Sequence, residues 1–399
     1  MVLGIIGGGA SGMAAALSAA RNIKNEIHIF ERQARLGKKL SATGNGRCNL
    51  SNLTPAPYFG DDPAFADPAL NKFSPRETLS WFEAFGLYTV TEESGRVYPY
   101  SDQANSVLDV LRLSLDTPNI TVHTGCEIEK ARKTADGFCL ETAEGTFLCD
   151  RLIIACGGIA GTKLGGSMRG YRLLGGFGHK TTRLRPSLVQ LTSDWKGLAA
   201  LKGVRANCKV EIFRDNTLFS QSTGELQFTE KGLSGPVIFE ISRDVCQGRG
   251  KWEAKLDFLP DMPQNALLEM LKLRKNTTLT TDDLFTGILH NRLGRVLSKE
   301  ANIGLCPVKA LSDRELETVS KTAKNLSVTL TGTLGMDSAQ VTAGGVLTGD
   351  FDPETLQSRL VPGLYACGEV LDIDGKCGGY NLQWAWSSGR LAGEKAGNV

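Results

Sequence analysis

The sequence predicts an α/β fold in which both ends of the chain build one parallel-sheet domain and a β-rich stretch is inserted between them. Three observations predict it. The apolar run Val2–Ile6 ends in glycines and leads through a small-residue helix to a second apolar run, Glu26–Phe30. Short buried strands alternating with helices are what a parallel sheet requires. From about residue 190, short alternating pieces divided by turn residues take over, as in barrels and sandwiches. From about residue 336 the glycine-rich texture of the first part returns.

The first of these carries the sharpest signal. Gly7, Gly9 and Gly12 form G-x-G-x-x-G, with Ala10 and Ser11 inside it, between the strand and the helix. The spacing assigns a tight turn to Gly7, close approach of the backbone to a pyrophosphate to Gly9, and tight helix–strand packing to Gly12. The amides at the helix start then face the phosphate charge. Glu31 closes the second strand, placed to accept hydrogen bonds from a ribose, and Arg32 follows it. Strand, helix and acid together predict a dinucleotide site.

Residues 32–52 are rich in Gly, Ser, Asn and cations and read as a loop that grips the cofactor. Lys38, Lys39 and Arg47 bring positive charge, Gly44 and Gly46 allow close approach, and Ser41, Thr43, Asn45 and Asn49 offer hydrogen bonds; Cys48 lies among them. Ser74, Pro75 and Glu77 have the order of a capping box, opening a helix that Gly86 ends. A second covering helix is expected over about 102–115. Ile120–Thr124 reads as a strand whose end, at Cys126 and Glu127, faces an adenine. A hairpin is expected over 138–149. The run 151–158 is another buried strand that stops at Ala155, Cys156, Gly157 and Gly158.

In the insertion, the pieces LVQLT, CKVEIF, LFSQS, ELQFT, PVIFEIS and WEAKLDF predict strands of a β-barrel, and LSVTLTGTL at 326–334 returns to it. NALLEMLKL, DDLFTGIL and 312–325, which opens on the box Ser312 and Glu315, predict helices. The chain then reaches a strand ending at Gly368 and Glu369, then Asp372, then Gly378 and Gly379 before a helix from about Asn381. A second helix N-terminus, with Tyr380, Asn381 and Leu382 in its first turn, is thereby aimed at the same ligand.

The chain has 399 residues, 41% hydrophobic and 22% charged, with net charge +2, values ordinary for globular proteins that give no sign of a nucleic-acid or membrane partner. No apolar run is long enough to span a bilayer. Val2–Gly12 is already a fold element rather than a signal peptide, so the expected compartment is the cytoplasm. Ten cysteines include no C-x-x-C pair, and the four histidines do not join them at ligand spacings. No metal site is expected, and the thiols read as free and mostly buried.

A single fingerprint shared by two distant helix N-termini favours FAD over NAD as the tightly held cofactor, because a second positive end stabilises charge on the reduced ring. Over essentially its whole length the chain resembles bacterial FAD-binding oxidoreductases of the aminoacetone oxidase family, also described as BaiN-type NAD(P)/FAD-dependent flavoproteins. The motifs that carry the resemblance are GGGASG at 7–12, TGNGRCNLSN at 43–52, GLSGP at 232–236, VTAGGV at 341–346 and GEVLDIDGKCGGYNLQWAWSSG at 368–389. The resemblance implies a Rossmann-like FAD-binding domain formed by both chain ends (1–190 and 336–399), an inserted β-barrel domain (191–260 and 326–335) and a small α-helical domain (261–325). It also implies that Glu31 holds the adenosine ribose, that the TGNGRCN loop lines the flavin, and that Gly379, Tyr380, Asn381 and Leu382 cap its pyrimidine end.

The expected activity is hydride transfer through flavin N5 with a small organic substrate. Two forms stay open: an amine or amino-ketone oxidase, and an NAD(P)H-dependent reductase of an enone-type substrate. A flavin-dependent RNA-modifying or RNA-associated protein is the alternative, disfavoured by the near-neutral charge and the lack of an aromatic-basic stripe. A flavin sensor without turnover is a third. No side chain is singled out as catalytic. Arg47, Tyr380 and Asn381 are each assigned to flavin or substrate, and Cys48 and Cys377 read as packing rather than an electron relay. Substrate and oligomeric state are not legible.

Overall fold

The computed structural model describes residues 1–245, 247 and 249–398. The chain divides into two compact units, one formed by Met1–Pro186 and Ala339–Val399, the other by Ser187–Ser338.

The first unit is built on a five-stranded parallel sheet. Its strands are β1 (Val2–Ile6), β2 (Glu26–Glu31), β3 (Ile120–Thr124), β4 (Arg151–Ile154) and β5 (Leu364–Ala366), in the order β5-β4-β1-β2-β3. Gly4 of β1 pairs with His28 on one side and Leu152 on the other. Leu3, Ile5, Ile27, Ile29, Ile153 and Ile154 are wholly buried, which is why apolar residues dominate the central strands β1, β2 and β4. Helix α1 (Ala10–Ala19) crosses from β1 to β2, and the last helix, α2 (Tyr380–Gly397), packs beside it. Because β5 pairs with β4, the end of the chain completes the sheet that its beginning starts.

The second unit carries a seven-stranded sheet in the order Leu326–Leu330, Trp252–Asp257, Arg205–Arg214, Thr217–Thr229, Gly232–Ser234, Leu191–Thr192, Gly332–Thr333. The first and last segments of that order are neighbours in the chain, separated by Thr331 alone. Strand residues Val210, Ile212 and Leu256 share one core with helix residues Leu267, Leu297, Leu316 and Val319.

Four local expectations are corrected. PVIFEIS is a helix, Pro236–Ile241, with Pro in its first turn and Gly235 before it at φ +98°; a short apolar run does not by itself distinguish a strand from a buried helix. LFSQS and ELQFT are one continuous strand, Thr217–Thr229. DDLFTGIL forms only a single turn, Thr281–Asp283, followed by further turns through Gly287 at φ +82°. Around it, helix Asn291–Glu300 had no capping signal to announce it: His290, an unusual cap, accepts from the Arg292 amide. At Ser74 only half the capping box forms, Ser74 Oγ accepting from the Glu77 amide, whereas at Ser312 both halves are present. Among the described residues no helix is long and apolar enough to cross a membrane.

A candidate dinucleotide site at two parallel helix starts

The β1–α1 turn separates its glycines by what each must avoid. Gly7 sits at φ +111°, and a Cβ there would lie 2.4 Å from the Ala155 carbonyl oxygen. A Cβ on Gly12 would lie 1.8 Å from the Gly7 carbonyl oxygen. Both are glycine because the protein's own backbone leaves no room. Gly9 is different. It caps α1 with φ −82° and ψ −169°, backbone that any residue adopts, and a Cβ there would meet nothing within 4 Å. Nothing in the protein requires glycine at this position, whereas a pyrophosphate drawn against the amides that open α1 does. That open cradle is the structural test for a dinucleotide, and the residues pass it. Gly157, at φ +68°, is similarly open.

Beside the cradle, Glu31 bridges two turns. Its Oε2 accepts from the Gly8 amide at 2.9 Å and its Oε1 from the Gln33 amide at 2.7 Å. The carboxylate is held in place and keeps unused lone pairs toward a cleft. That cleft is lined by Gly7, Glu31, Arg32, Cys126, Glu127 and Cys156, all singled out in the sequence, and by Gly165, Ser167 and Arg169, which were not. Arg32 donates to the Gly165 carbonyl at 2.8 Å, and Arg169 pairs with Glu127 at 2.9 Å. The 165–169 segment therefore straps the cleft. It was passed over because its glycines lack the strand–turn–helix context; only the fold brings it here.

On the other side of the cradle, Lys39 reaches Glu369 at 2.8 Å, and Glu369 also accepts from the Thr342 amide at 2.7 Å. Asp372 is buried and accepts from Thr182 Oγ1 at 2.7 Å. Gly368 at φ +78° lies against Ser11, and Ala155 closes under Gly7. In the loop, Thr43 Oγ1 bonds back to the Leu40 carbonyl, Gly44, Asn45 and Gly46 all have positive φ, and the Cys48 amide bonds to Thr43 O. Arg47 stacks 3.9 Å over the Tyr98 ring and pairs with Glu92 and Asp102. Asn49 Oδ1 is buried with no hydrogen-bond partner.

At the start of α2, Gly379 caps the helix at φ +104°. The Asn381 side chain holds the preceding turn, accepting from Gly375 N and donating to Gly375 O, both at 2.8 Å. Tyr380 donates its hydroxyl to Thr54 O, and Leu382 packs on the core. The first-turn side chains are thus engaged within the protein, and what the helix start offers a ligand is its backbone amides and dipole.

The nine described cysteines form no disulfide with one another, and Cys246 lies outside the described residues. Burial pushes Cys48, Cys156 and Cys367 each up to about 12, so none of the three is a thiolate near neutral pH.

A family model described as "HI0933-like protein Rossmann domain" matches residues 2–395. The chain is 40% identical over 403 residues to a Clostridium scindens protein named 3-dehydro-bile acid delta(4,6)-reductase, covering 99% of this chain and 98% of that one. It is 32% identical over 390 residues to an Escherichia coli protein named ribosomal RNA dihydrouridine synthase, covering 96% and 95%. Among solved structures, a 3-ketosteroid delta1-dehydrogenase from Sterolibacterium denitrificans matches over 99% of both chains with TM-score 0.50 and 11% identity, a likeness of fold.

Proposed function

The chain belongs to the HI0933-like Rossmann family and is an FAD-dependent oxidoreductase, and from that premise we propose that it reduces a carbon–carbon double bond conjugated with a carbonyl in a small organic molecule. The observation that carries this reading is end-to-end similarity to a protein named as a reductase of an oxo-steroid double bond. A second relative is named for making dihydrouridine, also the saturation of a double bond next to a carbonyl. The two names share a reaction class while differing in the size of substrate.

When bound, FAD supplies hydride chemistry at flavin N5, with a nicotinamide as the proposed donor. The residues' own tasks follow from their positions. Gly9 leaves clearance for the pyrophosphate, and the amides opening α1 neutralise its charge. Glu31, fixed by Gly8 and Gln33, orients the ribose. Lys39, held by Glu369, would bring positive charge to the phosphates. Asn381 fixes the turn before α2 so that the helix start keeps its aim. In the same reading the Ser187–Ser338 unit is a barrel with attached helices, supported by the adjacency of its two outer segments in the chain.

The test is anaerobic. The flavin-loaded protein is reduced with NADH or NADPH and offered enones, amino ketones or ribosomal RNA. Reoxidation by an enone with a saturated product supports the proposal. Prompt reoxidation by oxygen with peroxide, and none by enones, refutes it in favour of an oxidase. Reoxidation by RNA alone moves the substrate to the second relative's class.

A further inference from the structure

Helices α1 and α2 run parallel and touch backbone to backbone. A Cβ on Gly389 would come 2.3 Å from the Ser11 carbonyl oxygen, one on Gly393 would come 2.1 Å from that of Ala15, and one on Gly397 would come 3.0 Å from the Ala19 Cα. The register is therefore 389 beside 11, 393 beside 15 and 397 beside 19. In that register α1 begins one residue before Ser11, whereas α2 begins nine residues before Gly389. At about 1.5 Å per residue, α2 starts about 12 Å beyond the start of α1, in the same direction. With the pyrophosphate on α1 and the adenosine directed into the Glu31 cleft, the flavin half of the cofactor extends past α1 toward the start of α2.

At that start stands an acceptor without a donor. Asn49 Oδ1 is buried and unpartnered, and it lies 2.9 Å from where a Cβ on Gly379, the cap of α2, would be. Gly379 is glycine partly for this reason: the same Cβ would also lie 2.3 Å from Ser51 O. Gly44, at φ +57°, packs from the other side, its Cβ position 2.9 Å from the Asn49 amide nitrogen. The Asn49 side chain is half-buried as a whole, while its Oδ1 is out of contact with solvent against the cap of α2. Buried acceptors in native proteins are paired, so one left open calls for a donor from a bound group.

The oxidised isoalloxazine ring carries one N–H, at N3, between two carbonyls at its pyrimidine end. We propose that Asn49 Oδ1 accepts the hydrogen bond of flavin N3–H, while the amides opening α2 face the adjoining ring carbonyl. Asn49 is then the positioning residue that sets how far the ring slides along α2. This rests on the FAD reading above.

The test uses apoprotein stripped of flavin and titrated with FAD and with N3-methyl-FAD, read by flavin fluorescence. Wild type binds the methylated cofactor at least about 30-fold more weakly, the loss expected when a buried acceptor loses its donor. Asn49→Ala weakens FAD binding and cuts that discrimination to about threefold or less, and Asn49→Asp, which keeps an acceptor, restores it. Equal affinity of wild type for the two cofactors overturns the inference, and does so even if Asn49→Ala fails to fold. Full discrimination in Asn49→Ala also overturns it, placing the N3–H partner elsewhere. Failure of wild type to bind FAD at all is a separate outcome, which overturns the cofactor reading itself.

Discussion

Replacing Gly9 with alanine separates what the fold needs from what the ligand needs. Gly9 already has extended backbone, and its Cβ position is open to 4 Å. Alanine is a poorer helix N-cap than glycine, but it also removes about 0.4–1 kcal/mol of unfolded-chain entropy. The two nearly offset, so the apoprotein changes by no more than about 1 kcal/mol, or about 2–4 °C in melting temperature for a unit of this size. The cofactor suffers far more. The methyl group occupies the approach to the amides that open α1, and two charge-assisted hydrogen bonds at about 1.5–3 kcal/mol each are at stake. Their loss lowers FAD affinity at least about 100-fold. Gly12→Ala is the control: its Cβ would lie 1.8 Å from Gly7 O, so fold and binding fail together. Thermal melts of apoprotein and fluorescence titration with FAD give both quantities. If Gly9→Ala binds FAD within about threefold of wild type, the proposed seat of the pyrophosphate against the amides that open α1 is wrong.

Three further outcomes are expected. Gly393→Ala gains about 1 kcal/mol of helix propensity but drives a Cβ to 2.1 Å from Ala15 O, and overpacking at about 1–3 kcal/mol makes the variant less stable by urea titration. Ser358 Oγ accepts from the Leu360 and Val361 amides and meets His179 Nε2 at 3.0 Å, so Ser358→Ala costs about 1–3 kcal/mol by leaving buried groups unpaired. Burial holds His179 below its ordinary value, with Asp350, 3.5 Å from Nδ1, pulling the other way. The unfolded chain then takes up the proton first, so this contribution is complete above about pH 6.5 and is lost as the pH falls below it. His179→Gln flattens that part of the stability profile between pH 7 and 5.

What was legible in the sequence was local. Val2–Ile6, residues 27–30 and residues 152–154 announce themselves because a parallel strand buried on both faces is predominantly apolar. Ser312 announces a helix because its capping box is satisfied within four residues. Pro236–Ile241 was misread because Val, Ile and Phe favour strands, while the Gly-Pro pair that starts the helix acts through a backbone turn. The small-residue row Gly389, Gly393 and Gly397 was not read as a packing face, because its meaning depends on Ser11, Ala15 and Ala19 lying opposite, more than 370 residues earlier. The strap at Gly165 and Arg169 was missed for the same reason.

The TGNGRC loop shows where a motif stops specifying chemistry. Its most conspicuous side chain, the Arg47 guanidinium, is engaged by the protein's own groups near the surface: stacked on Tyr98 and paired with Glu92 and Asp102, it ties the loop to the Thr89–Thr91 and Arg96–Pro99 hairpin. Its thiol, Cys48, is wholly buried at φ +59° and held protonated. With Arg47 and Cys48 fixed this way, the chain direction places the next side chain, Asn49, against the cap of α2. The loop's charge and its cysteine serve to build a rigid frame, and the polar atom it leaves unmatched belongs to the least conspicuous member of the motif.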